Sequence, residues 1–165
     1  MFTAEWGPLI TRATIWVALA LYGLSVTLLL RRERAEDDRA ARLAWTLACG
    51  AFLGHVAAAF IFYFDGSHPA ALEHTARRTM EVVGFRFAPG LYVNYFFTVF
   101  WLADVAWWWL APSSYRNRPW RVHALVHGFF VFMIVNGVWP VVIKIPTINV
   151  VDKSIVIVVN AWEAI

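Results

Sequence analysis

His55, Asp104 and His127 are the residues whose types and settings could do chemistry, because each lies inside a long apolar run. An ionisable group at membrane depth is costly to bury and commonly tied to function. Asp104 sits among Phe100, Trp101, Trp107, Trp108 and Trp109. A turn with Arg116, Arg118 and Arg121 follows, and His123 and His127 open the next apolar run. On ideal helices Asp104 and His127 each lie roughly 8–9 Å from the arginine end of their runs. A carboxylate and an imidazole at one depth on sequential, antiparallel helices can pair, which lowers the cost of burying both. The pair would act as a proton relay or cation site, or else as a structural pin that sets the hairpin's register; the pin is the preferred reading.

His55 lies beside Gly50, Gly54 and Ala58, which recur every fourth residue, with Ala51, Ala57 and Ala59 next to them. Small residues at that spacing let another helix backbone come close, so His55 is expected to face protein. A small residue four positions before a histidine also leaves room for a flat macrocycle. His55 is therefore a candidate axial ligand for haem or a chlorophyll-type pigment. The alternative, which is preferred, is a neutral histidine hydrogen-bonded to a neighbouring helix. A bis-histidine haem on His55 and His127 is not expected. His55 lies roughly 18 Å from the arginine end of its run, far from the depth of His127. Trp101 near Asp104 could help cage an organic cation, but a tryptophan belt at the membrane interface explains Trp107 to Trp109 and Trp120 without a ligand.

The elements that position these residues follow from composition. The chain of 165 residues is 61% hydrophobic and 15% charged, against about 45–50% and about 25% for a soluble domain. The apolar residues fall into four runs of near-spanning length: Ala13 to Leu30, Leu43 to Phe64, Leu91 to Leu110 and Val122 to Ile143. In lipid each must be helical, since backbone groups need partners within the segment. The expected fold is all-α: residues 1–143 form a polytopic bundle of four transmembrane helices, and residues 144–165 form a hydrophobic tail. That tail, split by Asp152 and Lys153, is too short in its clean part to span.

The formal charge of +3 is small, with basic residues at segment ends, which suits lipid headgroups and not nucleic acid. Cys49 alone cannot form an internal disulfide. The first run is expected to be a retained span and not a signal peptide, because its leading residues include Glu5 and no basic n-region. Arg31, Arg32, Arg34, Arg39 and Arg42 crowd one short turn, and Arg116, Arg118 and Arg121 another. Short arginine-rich turns stay in the cytoplasm, which puts both termini outside. The expected location is the cytoplasmic (inner) membrane of a bacterium. The longest connection, Asp65 to Gly90, contains an amphipathic pattern from Ala70 to Val83, started by Pro69 and stopped by Gly84. Leu72, Ala76, Met80 and Val83 form its apolar face, so it is expected to lie on the outer membrane surface. Asp65, His68, Glu73 and His74 are of metal-ligand type, but their spacing fits surface solvation better than a metal site.

No Gly-rich phosphate loop, His-Glu-x-x-His, CxxC or Gly-x-Ser-x-Gly occurs. Several strings taken together resemble small bacterial multi-span membrane proteins: His74-Thr75-Ala76-Arg77-Arg78-Thr79, Gly90-Leu91-Tyr92-Val93-Asn94-Tyr95, Trp101-Leu102-Ala103-Asp104-Val105, Ser114-Tyr115-Arg116 and His127-Gly128-Phe129. The resemblance covers Leu43 to Gly137 and implies a self-contained four-span unit, with no activity attached. The leading expectation is a non-enzymatic subunit of a larger membrane complex, with the bilayer, other membrane subunits or its own copies as partners. A cofactor-binding redox or pigment subunit using His55 is the alternative, and an ion or proton pathway using Asp104 and His127 is the third.

Overall fold

The computed structural model describes residues 3–31 and 38–142. The hydrophobic tail and the centre of the first arginine-rich turn lie outside these residues. Among the described residues the structure is helical, with no strand. The helices are α1 (Thr3–Arg31), α2 (Arg39–Phe64), α3 (His68–Val83), α4 (Gly90–Leu110), α5 (Pro112–Arg116) and α6 (Trp120–Val142). The chain divides into two compact units, one running to Pro112 and the other beginning at Ser113.

Among the described residues, α1 and α2 are the two helices long and apolar enough to cross a membrane, by length and composition. α1 begins well before the apolar run read from the sequence and carries Pro8 and Arg12 inside it. α4 has 21 residues, long enough to span. Tyr92, Asn94, Tyr95, Asp104 and its tryptophans hold its mean hydropathy below that of α1 and α2.

In the first unit α1 and α2 pack antiparallel. The buried Ser25 hydroxyl donates to the Ala41 carbonyl (2.8 Å) near one end. At the other, α1 passes so close that a Cβ on Gly7 would stand 2.8 Å from Phe62 Cγ, a distance no side chain tolerates. Small buried residues line the contact: Ala18 on α1, and Ala41, Ala44 and Ala48 on α2. Trp45 fills the remaining space. Its ring lies 5.6 Å from Tyr22 on α1, and 5.7 Å and 6.5 Å from Trp101 and Trp108 on α4. Phe52 extends the same seam against Phe97 (5.2 Å) and Trp101 (5.4 Å). Aromatic pairs at these separations add to the area they bury.

The turn into α3 follows local rules. Asp65 ends α2 in the left-handed conformation (φ 48°), which aspartate tolerates better than most residues. The Ser67 hydroxyl then caps α3 by accepting from the Ala70 amide. Gly84 closes α3 at φ 87°, where a side chain would be strained. The inward face of α3 is built of small residues. Ala71 and Ala76 are buried, while Met80 is exposed. The cause is the approach of α4: a Cβ on Gly90 would stand 3.2 Å from the Thr75 methyl, so small residues must face it. The Val83 side chain lies outside the described residues. Arg86 holds the following loop to α3 through a bidentate pair with Glu73 (2.6 and 2.7 Å).

In the second unit, the guanidinium of the buried Arg118 lies 3.8 Å over the Tyr115 ring, and its Nε donates to the His123 imidazole (3.2 Å to Nδ1). Val126 and Phe130 supply the buried face of α6.

His74 on α3 is half-buried with its ring 5.3 Å from Phe64. Burial, and then the charges of Arg77 and Arg78, hold its pKa below the ordinary 6.5, with Glu81 opposing. The unfolded segment therefore takes up the proton first. Stability is complete above about pH 6.5 and declines as the pH falls toward the folded value. Amide hydrogen exchange in α3 is expected to quicken as the pH drops from about 6.5 toward that value, after correction for intrinsic rates. His74→Gln is expected to flatten this dependence.

Candidate functional site

The densest set of polar contacts lies where the start of α2 meets the end of α4. Asp38 precedes α2 as its N-cap residue, and its side chain makes no capping bond. One carboxylate oxygen instead accepts from Trp108 Nε1 (3.1 Å), and Asp38 is buried. One turn on, the Arg42 guanidinium lies 4.3 Å over the Trp109 ring and donates weakly to the Trp108 carbonyl (3.4 Å). Another turn on, Thr46 Oγ1 accepts from Trp109 Nε1 (2.9 Å). Asp38, Arg42 and Thr46 thus present one polar face of α2, spaced four residues apart, to two successive indoles. A carboxylate at a helix N-terminus is also favoured by the helix dipole.

In the sequence Arg42 reads as a turn charge and Trp107 to Trp109 as an interface belt. The belt description suits Trp109, which is 43% exposed, but not Trp108, which is 1% exposed and hydrogen-bonded. The four-residue spacing of Asp38, Arg42 and Thr46 was a signal available in the sequence.

Asp104 is 5% exposed and shares the inward stripe of α4 with Phe97, Trp101 and Trp108, so it lies on the face packed against α2. His127 is half-buried on α6, in the other unit. His55 is half-buried on α2, and its Nδ1 lies 2.9 Å from the Thr11 carbonyl. A carbonyl only accepts, so Nδ1 carries the proton and Nε2 carries the lone pair. His55 therefore bonds to the backbone of a neighbouring helix. Of the small residues beside it, Ala58 is buried whereas Gly50 and Gly54 are exposed. Asn136 donates to the Phe132 carbonyl of its own helix (2.8 Å) and is exposed.

The metal-type residues of the connection do not converge. His68 is hydrogen-bonded to the Tyr95 hydroxyl (2.9 Å), Glu73 pairs with Arg86, and His74 packs on Phe64. Among the described residues no three groups of metal-ligand type stand together. No family model, no curated protein and no solved structure matches the chain.

Asp38→Leu removes the acceptor of a buried indole N–H. It is expected to lower stability by about 1–3 kcal/mol, read from unfolding in detergent by tryptophan fluorescence. Asp38→Asn keeps an oxygen acceptor and is expected to cost less than half as much.

Proposed function

We propose that the chain is an integral membrane protein of four spans that serves as a non-enzymatic subunit, packing against other helices in a larger membrane assembly of the bacterial inner membrane. The observation that carries this reading is the open stripe on α2. Gly50 and Gly54 are exposed, as is Ala57. A Cβ on Gly50 would meet nothing within 4 Å, and one on Gly54 would meet the Thr14 methyl alone, at 3.7 Å. The close packing of α2 on α1 uses Ala41, Ala44 and Ala48 instead. Glycine inside a helix costs roughly 0.5–1 kcal/mol relative to alanine, and against lipid it returns little contact. Against a partner helix it allows close backbone approach, which drives association in membranes.

Gly50→Leu tests the reading, since the open space around Gly50 lets the chain keep its own fold. In mild detergent the natural protein is expected to migrate as an oligomer or with other membrane proteins, and the variant as a monomer of unchanged helicity. A natural protein that is already a monodisperse monomer would overturn the proposal.

A second reading is supported by the tautomer of His55. A histidine whose Nδ1–H is held by a backbone carbonyl presents Nε2 as a ligand, the usual arrangement behind a metal-bound imidazole. Under this reading the purified protein shows a Soret or pigment absorption band that His55→Ala abolishes; a colourless natural protein would sink it.

A further inference from the structure

We propose that Arg12 and Tyr63 form a binding site for a phosphate group at the Phe64 end of the α1–α2 pair, with a phospholipid headgroup as the occupant. Arg12 lies on α1 one residue after Thr11, whose carbonyl bonds His55, so it starts at the His55 level inside an apolar helix. Helical side chains lean toward the N-terminus of their own helix. On antiparallel α1 that direction leads to the end of α2 where Tyr63 stands, next to Phe62, which packs on Gly7. Arg12 Nε and the Tyr63 hydroxyl are both buried, and neither has a hydrogen-bond partner. Among the described residues no carboxylate pairs with Arg12.

An arginine left in this state inside an apolar helix is expensive, and such residues are normally paired. An anion answers both the open donors and the charge. It must accept from a planar guanidinium and from a phenol together, and it must be found at the depth of Tyr63, one residue from the end of α2. A phosphate has the oxygens to accept both donors and matches the arginine fork. The headgroup layer supplies phosphate at that depth. Inorganic phosphate shares the chemistry, and the experiment separates the two sources.

The test uses the full chain purified in detergent, with phosphatidylglycerol titrated in and bound lipid counted by native mass spectrometry. Arg12→Gln is expected to bind about tenfold more weakly, the loss of a charge-assisted bond. Tyr63→Phe is expected to bind severalfold more weakly while keeping every charge. Diffuse attraction between a cation and an anionic lipid would respond to Arg12→Gln alone, so unchanged binding by Tyr63→Phe overturns the built site. Equal binding by Arg12→Gln and the natural chain overturns it as well. If Arg12→Gln loses its helicity, Tyr63→Phe decides by itself. Inorganic phosphate at millimolar concentration is expected neither to bind in an Arg12-dependent way nor to displace the lipid. If it does both, the headgroup assignment is overturned in favour of free phosphate.

Discussion

Polar groups in apolar helices must find a partner, and the way each finds one accounts for most of what distinguishes these helices. The simplest solution is local. The hydroxyls of Thr11, Thr14, Thr27 and Thr98 each donate to a carbonyl four residues back on their own helix, and Asn136 does the same with its amide. Such residues impose nothing on tertiary structure. The few that reach across are therefore the ones that set it. Ser25 bonds α1 to α2 through Ala41, His55 bonds α2 back to α1 through Thr11, and Trp108 and Trp109 bond α4 to Asp38 and Thr46. Apolar surroundings offer few competing hydrogen bonds, so each of these contacts is directional information that apolar packing alone lacks.

This gives α2 its central place in the first unit. One face carries the alanines that admit α1, and Trp45 stands where α1 and α4 both reach it. The Asp38–Arg42–Thr46 row meets the end of α4. Asp38 shows how the two requirements combine. As an N-cap it would satisfy an amide of its own helix, yet its carboxylate is used for the indole of Trp108. A buried carboxylate that gives up a cap bond for a tertiary one ties the position of α4 to the start of α2.

Composition and periodicity made the helical class and the course of the helices legible, because long apolar runs admit few other structures. The ends of α3 were legible too: Pro69 and Gly84 act through local geometry, and local geometry is written in sequence. Faces were harder to read. On α3 the approach of Gly90 to Thr75 sets small residues inward, which the apolar pattern alone does not specify. Likewise Trp108 was read with its neighbours as a belt, since nothing in a run of three tryptophans says which indole will meet a carboxylate. His55 was read as bonding to a neighbouring helix, and it does; that the acceptor is the Thr11 carbonyl depends on the α1–α2 register, which no periodicity encodes. Arg12 passed unremarked because the first span was taken to start after it, whereas α1 encloses it.

The stripe of small residues shows why spacing is a weaker guide than the company it keeps. Gly50, Gly54 and Ala58 have the interval of a packing motif, and so do Ala41, Trp45 and Ala48 with Ala44 beside them. The second set took the internal contact. It holds Trp45, whose bulk requires small neighbours on the same face and whose ring must be covered on several sides. The glycine set has no such demand within the chain, and only its Ala58 end is buried. A helix that needed merely to face lipid would gain from leucine at Gly50, in helix propensity and in dispersion contacts alike. Glycine there is favourable when a second backbone comes within reach. The same logic applies to Arg12 at the other end of the pair. Under the two proposals each is unfavourable in a lone chain in lipid and becomes favourable when something outside the chain, a helix in one case and an anion in the other, completes it.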